Sequence, residues 1–309
     1  MKDNTKVNVM DSQHLVPELA LIEELPEHWK SRFEKALYML YESLEQSPAL
    51  AWEEIAISCA ISPHHFHRVF RAVFNEAPGQ YLRRLRLQTV VEKLIYTSDS
   101  ITDIAVGSGF SSSQALAKAL KRELNTSAKA IRKLRERDSY DYLDELYNKL
   151  GHPTSQSHKT MESQIVEQLN TELRTYPERH LPSKRFSIPE FEKIMDEPGD
   201  EEFEVIVATD VEQLNNCFDD ITVHVGEEFT SAFRANLAIA AGKYLCCKTN
   251  ISTDVGYYAV WNELYRRAVL EGYELCEQGY TVEYLRNAST KLPYGMEIEL
   301  QLPVEDVDG

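Results

Sequence analysis

No apolar run in this chain approaches the ~18 residues that a membrane-spanning helix needs. The opening residues, MKDNTKVNVMDSQH, have no apolar core of the secretory type. A cytoplasmic protein with no membrane contact is therefore expected. Cysteine is sparse and odd in number: Cys59, Cys217, Cys246, Cys247 and Cys276, with no CxxC spacing. That argues against a disulfide framework or a zinc site and for buried free thiols. Glycine-rich phosphate loops and a Ser–His–Asp set are missing as well, so no enzyme activity and no cofactor are expected.

Positive charge is also short overall, with 33 Lys and Arg against 50 Asp and Glu in 309 residues, a net charge of −17. The deficit is uneven. Residues 30–137 hold 17 basic against 11 acidic side chains, whereas residues 138–309 hold 14 against 33. One basic block lies between acidic flanks, a better sign of nucleic-acid contact than the total.

The texture along the chain suggests two domains. Residues 1–27 lack sustained periodicity and read as a flexible acidic tail. Apolar residues then recur at three- and four-residue steps, beginning with Phe33, Ala36, Leu37, Leu40, Tyr41 and Leu44, a helix stopped near Ser47-Pro48. Residues 28–137 read as all-α. A charged helix from Ile131 to about Leu150 leads out of this block, and residues 138–160 read as the rest of that helix and a linker around Gly151–His158. From residue 161 to 304, FEVIVA, ITVHV, GKYLCCKT, YTVEYL and EIELQL read as strands, with helices at Trp261–Glu271 and Asp210–Cys217, an α+β domain. Residues 305–309 read as a short tail.

The helical block repeats itself. Glu54-Ile55-Ala56 returns as Asp103-Ile104-Ala105, 49 residues on, and Phe66, Val69, Phe70 and Phe74 return as Leu116, Ala119, Leu120 and Leu124, 50 residues on. Arg68 and Arg71 are echoed by Lys118 and Lys121. Each copy reads as helix, tight turn, helix, with Ala60-Ile61-Ser62 and Gly109-Phe110-Ser111 supplying turn and N-cap. In such a pair the second helix enters the DNA major groove. The candidate DNA-contacting residues are His64, His67, Arg68 and Arg71 in the first copy, and Ser113, Gln114, Lys118, Lys121 and Arg122 in the second. Arg83, Arg84 and Arg86 on the joining helix could reach phosphates or cap the packing.

Over Trp29–Leu134, and most strongly in SPHHFHRVFRAVFNEAPGQYLRRLRLQ and SITDIAVGSGFSSSQALAKALKRELNTSAKAIR, the sequence resembles the AraC/XylS family of bacterial transcription regulators. The resemblance implies two recognition helices in successive major-groove segments of double-stranded DNA, with RNA polymerase as a protein partner. It departs from the family where Ala128 replaces a usual Pro, Asn125 a frequent Gly and Lys118 a frequent Arg. Two readers in one chain let a monomer bind an asymmetric site, so the oligomeric state stays open.

Residues 161–304 resemble a GyrI-like domain, a duplicated β-α-β-β unit. The resemblance implies an aromatic groove around an acid that takes up small, often cationic, organic effectors. Candidates are Tyr244, Tyr258, Trp261, Tyr265, Tyr284, Glu283 and Glu299. Val282 stands where the family's groove glutamate is expected. The alternatives are an acidic protein-interaction module and a small-molecule hydrolase.

Overall fold

The computed structural model describes residues 14–44, 50–136, 140–155, 159–196, 204–214, 216, 220–286 and 295–306. Its first half is helical: β1 (His14–Leu15), α1 (Pro17–Glu23), α2 (Glu27–Glu42), α3 (Trp52–Ser58), α4 (Pro63–Phe74), α5 (Pro78–Tyr96), α6 (Ile101–Gly107), α7 (Ser113–Glu123), α8 (Ala128–Arg132) and α9 (Tyr140–Leu150). The second half holds α10 (Met161–Val166), β2 (Thr171–Tyr176), β3 (Arg179–Leu181), β4 (Lys184–Ser187), α11 (Ile188–Asp196), β5 (Glu204–Asp210), β6 (Thr222–Gly226) and β7 (Leu237–Ile239). It closes with β8 (Gly242–Ile251), α12 (Asp254–Leu270), β9 (Tyr273–Leu275), β10 (Tyr280–Arg286) and β11 (Met296–Asp306). Among the described residues no helix is long and apolar enough to cross a membrane.

α5 is the spine of the helical half. Its first turns give Tyr81, Leu82 and Leu85 to a core with Phe33, Phe66, Phe70 and Phe74, and its later turns give Leu87, Val90, Val91 and Leu94 to a second core with Ile104, Leu116, Leu120 and Ile131. Two mini-cores on one continuous helix fix the two copies relative to each other.

The large sheet runs β1-β8-β11-β10-β5-β6-β4, with β2 on β8 and β9 on β11. The order is palindromic about the β10–β5 pair: β8-α12-β10-β11 mirrors β4-α11-β5-β6. One face, with Leu245, Cys247, Ile298 and Leu300, packs under α12 through Val260, Leu264 and Ala268. Side chains alternate along a strand, so the other face carries Tyr244, Cys246, Ile206, Ala208 and Val282, covered by Leu181, Leu237 and Ile239 of the small β3–β7 sheet.

Several expected boundaries are corrected. Residues 14–27 are not a tail: β1 pairs in parallel with β8, Leu15 and Ile22 are buried, and the Leu15 amide donates to Thr249 Oγ1 at 3.2 Å. Leu15, Val16, Leu19 and Ile22 form a short apolar stripe that the surrounding acidic residues obscured. Residues 1–13 lie outside the described residues, as do Cys217 and the expected stop at Ser47-Pro48. The expected helix 131–150 is two, separated by a 3-10 turn at Lys133–Glu136. Gly151 and His152 are buried rather than loose linker, and a Cβ on Gly151 would collide with the Thr160 side chain. Glu305 and Asp306 continue β11 against β9 instead of forming a tail.

A buried polar network joins these elements. Arg84 donates to Glu76 Oε1 from Nε (3.0 Å) and Nη2 (2.7 Å), and to the Leu150 carbonyl (3.3 Å). His152 Nε2 donates to the Phe74 carbonyl at 3.0 Å, which leaves its Nδ1 to accept from Arg84 at 3.1 Å. Burial, then the Arg84 charge, hold the imidazole pKa well below its ordinary value. Arg84 is therefore structural, not a phosphate contact.

Candidate nucleic-acid interface and sheet groove

The two copies turn and cap by the same backbone devices. Ala60 (φ 55°) and Gly109 (φ 76°) both turn through the left-handed region, and the next amides close the turns, Ile61 onto the Ala56 carbonyl at 3.0 Å and Phe110 onto the Ala105 carbonyl at 2.9 Å. Ser62 Oγ caps α4 by accepting from His65 N–H at 3.4 Å, and Ser112 Oγ caps α7 by accepting from Ala115 N–H at 3.2 Å. The second cap is thus Ser112, not Ser111. The second turn is one residue longer, which is why the repeat offset changes from 49 to 50. A left-handed asparagine follows each helix, Asn75 (φ 58°) as the C-cap of α4 and Asn125 (φ 56°) one residue past the C-cap of α7. Asn tolerates this conformation better than other non-glycine residues, so the Gly expected at 125 is dispensable. Ala128 opens α8 behind the Ser127 cap, where Pro78 opens α5. The first helical position needs no amide, so Pro there is helpful but not required.

This geometry aligns the candidate contacts. His64, Arg68 and Arg71 form one exposed stripe along α4, and Gln114, Lys118 and Lys121 form the equivalent exposed stripe along α7. His67 is half-buried against Trp52, with ring centroids 5.6 Å apart, and His65 lies on Trp29 at 5.4 Å. Ser113 is half-buried in the first turn of α7. Arg122 pairs with Glu123 at 2.6 Å, and Lys121 donates to the capping Asn125 at 2.7 Å. Among the described residues Arg68, Arg71 and Lys118 make no ion pair. Arg83 is held by Glu123 at 3.5 Å, and Arg86 is half-buried beside Gly109, whose Cβ would meet its Nε at 3.1 Å.

The seven groove candidates do not form one site. Tyr244, Tyr284 and Glu299 share the sheet face away from α12. Glu299 is in register with Tyr284, and Gln301 with Val282. Trp261 and Tyr265 pack on the opposite, helix-covered face. Glu283 is also there, accepting from Tyr257 Oη at 2.9 Å, and burial pushes its carboxyl up to about 7. Tyr258 turns to the helical half, stacked on Tyr147 with centroids 4.4 Å apart. α12 carries these aromatics on faces that never reach the groove.

The groove also holds residues the sequence reading did not single out. Arg174 on β2 donates from Nη1 to Glu299 Oε1 at 2.8 Å, and Gln301 Nε2 donates to the same oxygen at 2.7 Å. Arg179 lies among Tyr176, Tyr244 and Phe229, its Cζ 4.2, 4.8 and 5.1 Å from their ring centres. The only signal was the pair of arginines in TELRTYPERHL, which reads as polar loop.

Residues 55–134 match a helix-turn-helix domain family. Over 80 residues the chain is 35% identical to the HTH-type transcriptional regulator Rv1931c of Mycobacterium tuberculosis, covering 26% of this chain and 31% of that protein. Over 101 residues it is 35% identical to the HTH-type transcriptional activator RhaS of Yersinia pestis, covering 32% and 37%. A solved transcriptional regulator with an AraC-type DNA-binding domain, from Chromobacterium violaceum, aligns with 37% of this chain and 99% of its own at 23% identity and a TM-score of 0.33. Residues 55–134 of the helical block are thus a helix-turn-helix domain. The chain spans about a third of the length of the curated relatives it matches.

Proposed function

We propose that this chain is a sequence-specific, double-stranded-DNA-binding transcription regulator whose sheet domain senses a small organic molecule. The observation that carries the first part is the pair of equivalent exposed stripes, His64-Arg68-Arg71 and Gln114-Lys118-Lys121, on capped helices fixed to one spine. Side chains that donate to base edges and phosphates are what such a surface needs. Relatives at 35% identity bear the names regulator and activator, which supports action at promoters with RNA polymerase as partner.

The palindromic sheet supports reading residues 161–304 as a GyrI-like duplicated β-α-β-β unit, with its groove on the face of Tyr244, Tyr284 and Glu299. An occupant there would regulate by favouring one arrangement of the sheet against the helical block. Binding to a fluorescent duplex, followed across salt concentrations, tests the DNA-binding part. Lys118→Ala should lower the slope of log K against log salt by roughly one if Lys118 meets a phosphate. Binding that ignores salt and both stripes would remove the reading.

A further inference from the structure

The groove face of the sheet holds a guanidinium with one edge left unbound. Arg179, at the start of β3, is only 8% exposed. Its Nη1 donates to Gln301 Oε1 at 2.8 Å. Its Nε and Nη2 are buried and have no hydrogen-bond partner among the described residues. Burial raises the Tyr244 and Tyr284 hydroxyls, and Arg179, by its charge and by a hydrogen-bonding interaction, lowers both again, although neither hydroxyl stands in direct hydrogen-bonding geometry to Nε or Nη2.

Nε and Nη2 lie on the same side of the planar fork, the side that meets both oxygens of a carboxylate at once. Buried donors are almost always satisfied, and charged ones left bare are costly. No acid of the chain fills the gap among the described residues. Glu299, the buried acid of this face, is engaged by Arg174 and Gln301. Arg286, over the Tyr284 ring at 4.9 Å, is paired with Glu204 and Glu297. The position among the aromatic rings that an organic cation would take is filled by the chain's own arginine. Tyr176, Phe229 and Tyr284 are only half-buried, so the aromatic wall reaches solvent.

We propose that the groove is an anion site, taking a small organic molecule by a carboxylate on Nε and Nη2 of Arg179, with an apolar body against Phe229 and Tyr284. The proposal rests on the small-molecule reading of the sheet domain and reverses the charge that the family resemblance implies.

The test titrates the purified full-length protein with benzoate and, separately, with benzamidinium, planar ions of equal size and opposite charge. Calorimetry and the shift in melting temperature report binding. Benzoate should bind saturably and raise the melting temperature, and benzamidinium should do neither. Arg179→Met keeps the apolar stem and should weaken benzoate by at least about tenfold. Arg179→Lys keeps the charge but loses the fork; it should weaken benzoate too, and it carries the test if the Met variant does not fold.

Benzoate binding that survives both Arg179 variants overturns the proposal. Benzamidinium binding that Glu299→Gln abolishes overturns it as well, while keeping the small-molecule reading. If neither ion binds, the anion site is wrong. If a mixed library of neutral, cationic and anionic small molecules also gives no melting shift, the small-molecule reading itself falls.

Discussion

The hydroxyl of Tyr96, the last residue of α5, lies 3.0 Å from the hydroxyl of Tyr258 on α12. The Tyr258 ring stacks on Tyr147 of α9, and burial pushes the Tyr96 and Tyr147 hydroxyls well above their ordinary range. Three tyrosines from three elements thus join the helix-turn-helix spine to the helix that covers the sheet. Tyr258→Phe keeps the stack and loses the hydroxyl contact, so it should cost about 1 kcal/mol. Tyr258→Ala should cost roughly 2–4 kcal/mol and split or broaden the calorimetric unfolding transition. An unchanged single transition in the Ala variant would show that the junction does not link the halves.

Arg84→Met should destabilise the protein by about 3–5 kcal/mol in urea unfolding, because Glu76 and the His152 Nδ1 would lose their buried partner. A loss below about 1 kcal/mol would mean that water takes over the network.

The two asparagine caps give a paired test. Asn125→Ala places a Cβ-bearing side chain without the Asn carboxamide at φ 56° and should cost about 1 kcal/mol. Asn125→Gly should be neutral or slightly stabilising by thermal melting, because glycine adopts that φ freely. Equal effects of the two would contradict the cap geometry.

Glu283 gives a pH signature. Burial raises its folded carboxyl to about 7 from an ordinary value of 4.5. The folded state therefore holds a proton that the unfolded chain releases, and its contribution is full below about 4.5 and lost as pH rises to about 7. Glu283→Gln should melt at a similar temperature to the parent at acid pH and above it at pH 8, by up to about 3 kcal/mol of stability. A difference that does not change with pH would place the carboxyl in water.

Much of this was legible in the residues. The repeat offsets located both helix-turn-helix units, because a buried stripe every three to four residues is imposed by helix geometry. β5, β6, β8, β10 and β11 stood out as apolar runs because both of their faces are covered. β2 and β3 did not, since Arg174 and Arg179 interrupt them and read as solvated charge. Their pairing with Glu299 and with the aromatic rings arises only when distant strands meet. The α12 aromatics could not be assigned to a face without knowing which side the helix covers, so Tyr258, Trp261 and Tyr265 were placed in a groove they do not reach.

Selection of random duplex DNA by the full-length protein at about 150 mM salt, beside an Arg68→Ala/Lys118→Ala double variant, tests the central claim most directly. The account predicts that the parent enriches a site with two specified segments roughly one helical turn apart, one for each recognition helix, and that the double variant does not. Enrichment of the same site by both proteins, or of none by the parent, would contradict it.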